Sequence, residues 1–209
     1  VPIGDRLLFS EYDACLNLGG FSNISFNRTS VTAFDISPVN IVLNALIKTI
    51  RKEFDDKGAL AATGKLDADL LVELNSLNYY MQKPPKSLGK EWVLAEFFPI
   101  LDTYSIPLED KLYTVCQHIA KQISIVCNRY NLMNCLVTGG GVYNDFLMDA
   151  IRKNNGCSFK IPDKNTVQFK EAVIFAFLGV LYSRGEANCI HTVTGALHDT
   201  IGGALYKGI

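Results

Sequence analysis

No Cys-x-x-C pair occurs anywhere in these 209 residues. The six cysteines, Cys15, Cys116, Cys127, Cys135, Cys157 and Cys189, are scattered, and none of the three histidines stands at ligand spacing from a cysteine pair. Zinc centres depend on such spacings, so the pattern does not make one. Most of the thiols lie in apolar runs and read as small buried residues of a reducing cytoplasm. An excess of one charge is missing too: 20 Lys+Arg against 21 Asp+Glu leave a net charge of -1. That balance gives no electrostatic reason to expect nucleic acid or a membrane surface as partner. No apolar run reaches the roughly 20 residues of a membrane span; the longest, 172–182, reads as a buried helix. No signal-peptide pattern stands at the start. No G-x-S-x-G elbow and no Ser/His/Asp set appears, which disfavours a hydrolase triad. A P-loop is absent as well. The stretch Gly58-Ala59-Leu60-Ala61-Ala62-Thr63-Gly64-Lys65 has one residue too many, and Leu66 stands where Ser or Thr is needed.

What is present suffices for a sizeable core: 48% of the residues are hydrophobic. Strand patterns at 14–18, 22–26 and 31–35 suggest an antiparallel meander. Pro38 marks a helix start, followed by Ile41, Val42, Ala45, Leu46 and Ile50 at helical spacing. Asp67 is the expected N-cap of a helix to about residue 77. Residues 79–89 hold Pro84-Pro85 and make a long loop, which favours a functional role. The clearest helix is 108–130, with Leu112, Val115, Cys116, Ile119, Ile123, Val126 and Cys127 in one core-facing stripe. His118, within it, reads as a surface or hydrogen-bond-satisfied histidine. A strand at 135–138, a helix at 144–153, a strand at 158–161 and a helix at 169–184 follow. The last is apolar all round and is predicted to be buried between layers. This order implies an α/β layer fold.

Two glycine turns are the candidate ligand sites. Gly19-Gly20 joins two strands, and glycine lets backbone N–H groups approach an anion closely, as a phosphate cradle requires. Gly139-Gly140-Gly141 joins a strand to a helix, where α/β sheets place their ligands; the alternative at each is a simple tight turn. Asp35, at a strand end, is a candidate to hold Mg²⁺ through water or to orient a nucleophile. Glu171 is expected to open the last helix, either capping it or pointing into a cleft.

Taken in order, these segments resemble the anhydro-N-acetylmuramic acid kinases of the actin/hexokinase/Hsp70 superfamily. Asn17-Leu18-Gly19-Gly20-Phe21-Ser22-Asn23 is similar to the family's Asn-Ile-Gly-Gly-Ile-x-Asn turn, and Phe34-Asp35-Ile36-Ser37-Pro38-Val39-Asn40 to its Phe-Asp-Thr-Gly-Pro-Gly-Asn. Asp56-Lys57-Gly58 with Thr63-Gly64-Lys65 resembles the segment that follows. Pro84-Pro85-Lys86-Ser87-Leu88-Gly89-Lys90-Glu91 looks like Pro-Pro-Lys-Ser-Thr-Gly-Arg-Glu. Gly139-Gly140-Gly141-Val142-Tyr143-Asn144, Glu171-Ala172, Val193-Thr194-Gly195-Ala196 and Gly203-Ala204-Leu205-Tyr206 match later family motifs. Each motif is weak alone; eight in the right order are specific.

The resemblance implies an actin-like ATPase (ribonuclease H-like) domain, a mixed sheet flanked by helices. It implies a cytoplasmic reaction with ATP and Mg²⁺ on a small sugar, 1,6-anhydro-N-acetylmuramic acid: water adds at C1 while O6 takes the γ-phosphoryl group, in peptidoglycan recycling. It assigns Asn17, Gly19, Gly20, Asn23 and Asp35 to the phosphates, Gly139, Gly140, Gly141 and Asn144 to the nucleoside, and Glu171 to the sugar. The family's first phosphate turn and its catalytic aspartate find no counterpart in residues 1–209. The chain, which opens on Val1-Pro2, is therefore expected to be the C-terminal domain of a two-domain kinase, inactive alone. No protein ligand to a metal is assigned, and a homodimer is left open. Ser37 and Val39 replace family glycines, which keeps alive a catalytically silent binding relative; another actin-like ATPase is the third alternative.

Overall fold

The computed structural model describes residues 1–27 and 32–206. Among the described residues, five strands form one sheet: β1 (Ala14–Leu18), β2 (Phe21–Phe26), β3 (Ala33–Pro38), β4 (Asn134–Thr138) and β5 (Ser158–Lys160). Their order is β3-β2-β1-β4-β5. β1 pairs antiparallel with β2, and β2 with β3; β1 pairs parallel with β4, and β4 with β5. The predicted meander and the mixed sheet are both found. Of the third predicted strand, Val31 lies outside the described residues.

The helices are α1 (Pro2–Leu8), α2 (Asn40–Lys48), α3 (Ala68–Asn75), α4 (Asn78–Met81), α5 (Lys90–Trp92), α6 (Phe98–Thr103), α7 (Leu108–Arg129), α8 (Asp145–Lys153), α9 (Lys164–Ser183) and α10 (His191–Thr194). Side-chain oxygens start three of them: Asp67 accepts from the Leu70 N–H, Asn144 from Leu147, and Asp163 from Asn165 and Thr166. Between α5 and α6 the chain widens into a π-turn at Val93–Phe97, just before Pro99, which has no N–H to continue the ladder. α7 carries Glu109 and Asp110 in its first turn and Arg129 in its last, in accord with the helix dipole. α2, α3 and α8 pack around α7 on one face of the sheet; α1 and α9 cover the other, against β2 and β4. The predicted stripe of α7 is buried throughout, among the core residues of β1 to β4.

Pro38 does not start a helix. It ends β3, and Val39 takes the N-cap position of α2. The loop after α3 contains one helical turn, α4, before its proline pair.

α9 departs further. It begins at Lys164, five residues before the predicted start, and it is not buried all round. Val167, Lys170, Ile174 and Leu181 face inward, while Phe169, Val173, Phe175 and Val180 are exposed. By length and composition alone α9 is apolar enough to cross a bilayer, although its apolar runs looked too short. In this fold it lies on α1, with Ile174 so close to Gly4 that an added Cβ there would meet its side chain at 2.5 Å.

His118 is fully buried in α7. Nδ1 lies 2.9 Å from Asn75 Oδ1, and Nε2 lies 2.8 Å from the Tyr80 hydroxyl. Asn75 Oδ1 can only accept, so Nδ1 carries the proton and Nε2 accepts from Tyr80. Both ring nitrogens of the neutral form are satisfied, and burial pulls the pKa from 6.5 down to about 3. Between these values the unfolded chain takes up a proton that the folded chain refuses. Stability attributable to His118 therefore falls by about 1.4 kcal/mol per pH unit as pH drops below about 6.5, and is flat above it. In denaturant titrations at several pH values, His118→Gln will show a shallower acid slope than the unaltered chain. Equal slopes would contradict this assignment.

Candidate functional site

β1 and β4 are parallel neighbours, with Asn17 opposite Thr138, so the two glycine turns emerge side by side at the carboxyl ends of both strands. They are locked together. Gly139 has φ +88°, and a Cβ there would run into Asn17 Oδ1 and come within 2.8 Å of the Leu18 backbone. A Cβ on Gly141 would lie 2.7 Å from Leu18 Cβ. Glycine is required at both positions, by φ and close approach at the first and by close approach at the second.

The Gly19-Gly20 turn has a second duty. The Gly20 carbonyl accepts from Val39 N (2.8 Å) and Ile41 N (3.2 Å), and the Gly19 carbonyl from Asn40 N (3.3 Å). The turn thus satisfies the N–H groups at the start of α2, which has no side-chain cap. Asn40 Nδ2 adds a bond to the Leu18 carbonyl at 3.3 Å. The Gly19 N–H is spent within the turn on Phe21 O at 3.1 Å.

Directly opposed residues on neighbouring strands share a face. Thr138, Asn17, Asn23 and Asp35 are opposed in succession across β4, β1, β2 and β3 and form a polar row on the α1/α9 face. The row serves two cavities. The first, about 320 Å³, is lined by Asn17, Gly19, Thr138, Gly140, Lys170 and Glu171 among others. The second, about 390 Å³, is lined by Asn23, Asp35, Asp5, Ser25 and Lys86. Between them runs a buried ion pair: Lys170 Nζ, from the first cavity, lies 2.9 Å from Asp5 Oδ1 of the second, with both side chains under 5% exposed. Ser25 Oγ donates to the other Asp5 oxygen. A third cavity, about 270 Å³, opens on the far side of Gly140 and Tyr143, which it shares with the first. Its walls mix Phe54, Leu43 and Leu112 with Asn40, Asp56 and Asn144.

The fold therefore brings together Asn17, Gly19, Gly139, Gly140 and Glu171, and sets Asn144 in the adjoining cavity, where it also caps α8. Gly20 and Gly141 line none of these cavities: Gly20 is exposed, with nothing within 4 Å of an added Cβ, and Gly141 is buried against Leu18. Asn23 and Asp35 lie in the other cavity and do not join the rest. Glu171 does not open α9; it is the eighth residue of the helix, whose cap is Asp163.

Asp35 is a loop anchor. Its carboxylate accepts from Leu88 N (2.8 Å), its N–H donates to Lys86 O (3.3 Å), and its carbonyl accepts from the Tyr79 hydroxyl (2.6 Å). Burial pushes its pKa up, partly opposed by the Leu88 N–H. The Lys86 ammonium donates to Tyr79 O at 3.1 Å and sits 4.3 Å from the Tyr79 ring centre; burial and the nearby Arg129 charge lower its pKa.

Three important residues escaped sequence reasoning: Thr138, Lys170 and Asp5. Thr138 is 1% exposed, and its hydroxyl has no hydrogen-bond partner among the described residues, although it borders the first cavity. A buried hydroxyl without a partner costs free energy, and a ligand oxygen in the cavity would recover it. The available signals were a threonine placed directly before a glycine run and a lysine inside an apolar helix. Ser37 and Val39 are both fully buried and line none of these cavities. A bulge in β3 turns Ser37 toward Ser22, Oγ to Oγ 2.9 Å, and Val39 joins the core with φ −128°.

A family model described as anhydro-N-acetylmuramic acid kinase matches residues 1–208. The chain belongs to the anhydro-N-acetylmuramic acid kinase family. A relative of that name from Pseudomonas syringae pv. tomato is 33% identical over 228 residues, covering 99% of this chain and 60% of the relative. Another, from Shewanella amazonensis, is 32% identical over 224 residues, covering 99% and 59%. The chain thus spans about 60% of the length of these family members. Among solved structures, the activator of the 2-hydroxyisocaproyl-CoA dehydratase from Clostridium difficile, with bound ADPNP, superposes with TM-score 0.53 at 16% identity, covering 87% of this chain and 66% of that one. Component A of the Acidaminococcus fermentans (R)-2-hydroxyglutaryl-CoA dehydratase gives 0.52 at 14%, covering 82% and 62%. Both have the actin-like ATPase fold, which is the fold of this family member too.

Proposed function

We propose that this chain is the C-terminal, nucleotide- and sugar-binding part of a two-domain kinase. With ATP and Mg²⁺ that kinase opens 1,6-anhydro-N-acetylmuramic acid and phosphorylates it at O6, in the cytoplasm, during cell-wall recycling. Family membership supports the reaction. The observation that carries the site is the interlocked pair of glycine turns, with Gly140 shared by two adjoining cavities. The nucleoside occupies the cavity walled by Phe54 and Leu112, next to Asn144. The phosphates cross Gly140 toward Asn17, Gly19 and the Thr138 hydroxyl, and Glu171 meets the sugar at the open edge. Asn17, Thr138 and Glu171 are hard oxygen donors of the kind Mg²⁺ takes, directly or through water and phosphate. When bound, the ion would neutralise phosphate charge during transfer. The residues of this chain bind and orient; the base that activates water belongs to the part of the protein beyond residues 1–209. A catalytically silent relative gains no support from Ser37 and Val39, since both are packed away from the cavities.

Gly140 offers a clean test, because a Cβ there meets nothing nearer than Asn40 Nδ2 at 3.8 Å. Gly140→Leu places a bulky side chain at the residue that both cavities share, where a Cβ does not crowd the turn. ATP·Mg²⁺ affinity, measured by calorimetry, will fall at least tenfold with an unchanged unfolding midpoint. Unchanged affinity would overturn this placement of the nucleotide.

A further inference from the structure

Spacing scatters the cysteines, yet the fold gathers three of them. Cys127 comes from the end of α7, Cys135 from β4, and Cys157 from the residue before β5. Their Sγ atoms all lie within 4.8 Å of one another, with Cys135 and Cys157 at 3.5 Å. The trio stands at the amino end of β4, away from the cleft at its carboxyl end. All three are buried. Cys157 is the least so, at 8% exposed, and it flanks β5, an edge of the sheet, directly after Asn155-Gly156.

We propose that Cys127, Cys135 and Cys157 form a three-sulfur binding site for a trivalent thiophilic centre, the chemical class to which arsenite belongs. Donor number is the first reason. No histidine or carboxylate among the described residues joins the cluster, so it supplies three soft ligands and no fourth. Tetrahedral Zn²⁺ would be left one protein ligand short. Charge is the second. Three buried thiolates around a monovalent ion would leave two negative charges in the core, and around a divalent ion one; a trivalent centre leaves none. Geometry is the third, because three converging sulfurs fit a pyramidal centre whose remaining position is a lone pair.

The step balances without an oxidant. Three S–H and three As–OH bonds are exchanged for three As–S bonds and three waters, and arsenic stays trivalent. Cys157, the most exposed of the three, is the sulfur that an incoming arsenite meets first. Once formed, the centre ties α7, β4 and β5 together and stabilises the folded chain by mass action.

The test uses the whole reduced chain and arsenite alone. Native mass spectrometry will show one arsenic added and three hydrogens lost per chain. Alkylation after rapid unfolding will find Cys127, Cys135 and Cys157 protected and Cys15, Cys116 and Cys189 modified. The thermal midpoint will rise by a few degrees. Cys157→Ser will weaken arsenite binding at least tenfold, and Cys189→Ser will not. No adduct, an adduct with only two hydrogens lost, or protection of cysteines outside the trio would overturn the proposal. Tighter binding of Zn²⁺ than of arsenite would do the same. The protection pattern is read on the unaltered chain, so the proposal stays falsifiable even if Cys157→Ser fails to fold.

Discussion

Lys170→Met will destabilise the chain by about 3–5 kcal/mol, the usual cost of removing one member of a buried ion pair. Both charges are almost fully enclosed, and the Asp5 carboxylate would keep only the Ser25 hydroxyl as a side-chain partner. The loss will appear as a lower denaturant midpoint with a similar slope. The double variant Lys170→Met, Asp5→Leu will recover much of it, because an apolar pair leaves no charge stranded. Equal losses in the single and double variants would show that packing, and not charge, holds α9 to α1. The pair also separates the two cavities on this face, so the single variant will weaken ligand binding in the first cavity along with the fold.

Gly139→Ala has the second largest expected effect. A non-glycine residue held at φ +88° costs about 1–3 kcal/mol for the backbone alone. The new methyl also collides with Asn17 and Leu18, so β1 and β4 must separate where the two turns interlock. Nucleotide affinity will drop more than tenfold, together with a lower unfolding midpoint. Gly140→Ala, one residue on, has room and will leave the midpoint unchanged. If Gly139→Ala matches it in both measurements, the turns are not interlocked as described.

Much of the fold was legible because its signals are local. The α7 stripe, the Asp67 cap and the strand before Gly139 depend on periodicity and turn chemistry within a few residues. The start of α2 was misplaced at Pro38 because its N–H groups are satisfied by Gly19 and Gly20, some 20 residues upstream in the chain. The burial of α9 was overestimated because an all-apolar helix has no periodicity to show which face is covered. Its covered face is marked by Lys170, whose partner Asp5 is 165 positions away.

The candidate site was legible in its glycines and not in its grouping. Asn23 and Asp35 belong to the same polar row as Asn17, yet the row spans two cavities, a division set by the Lys170–Asp5 pair. The three-cysteine cluster was hidden for the same reason: its members share no motif and meet only through the packing of α7 against the sheet.

The most direct measurement of the central claim uses the full-length protein with ATP, Mg²⁺ and 1,6-anhydro-N-acetylmuramic acid in heavy-oxygen water, with products followed by mass. The account predicts N-acetylmuramic acid 6-phosphate carrying one solvent oxygen at C1. ATP binding with no phosphorylated sugar, or a phosphorylated sugar with its anhydro ring intact, would contradict it.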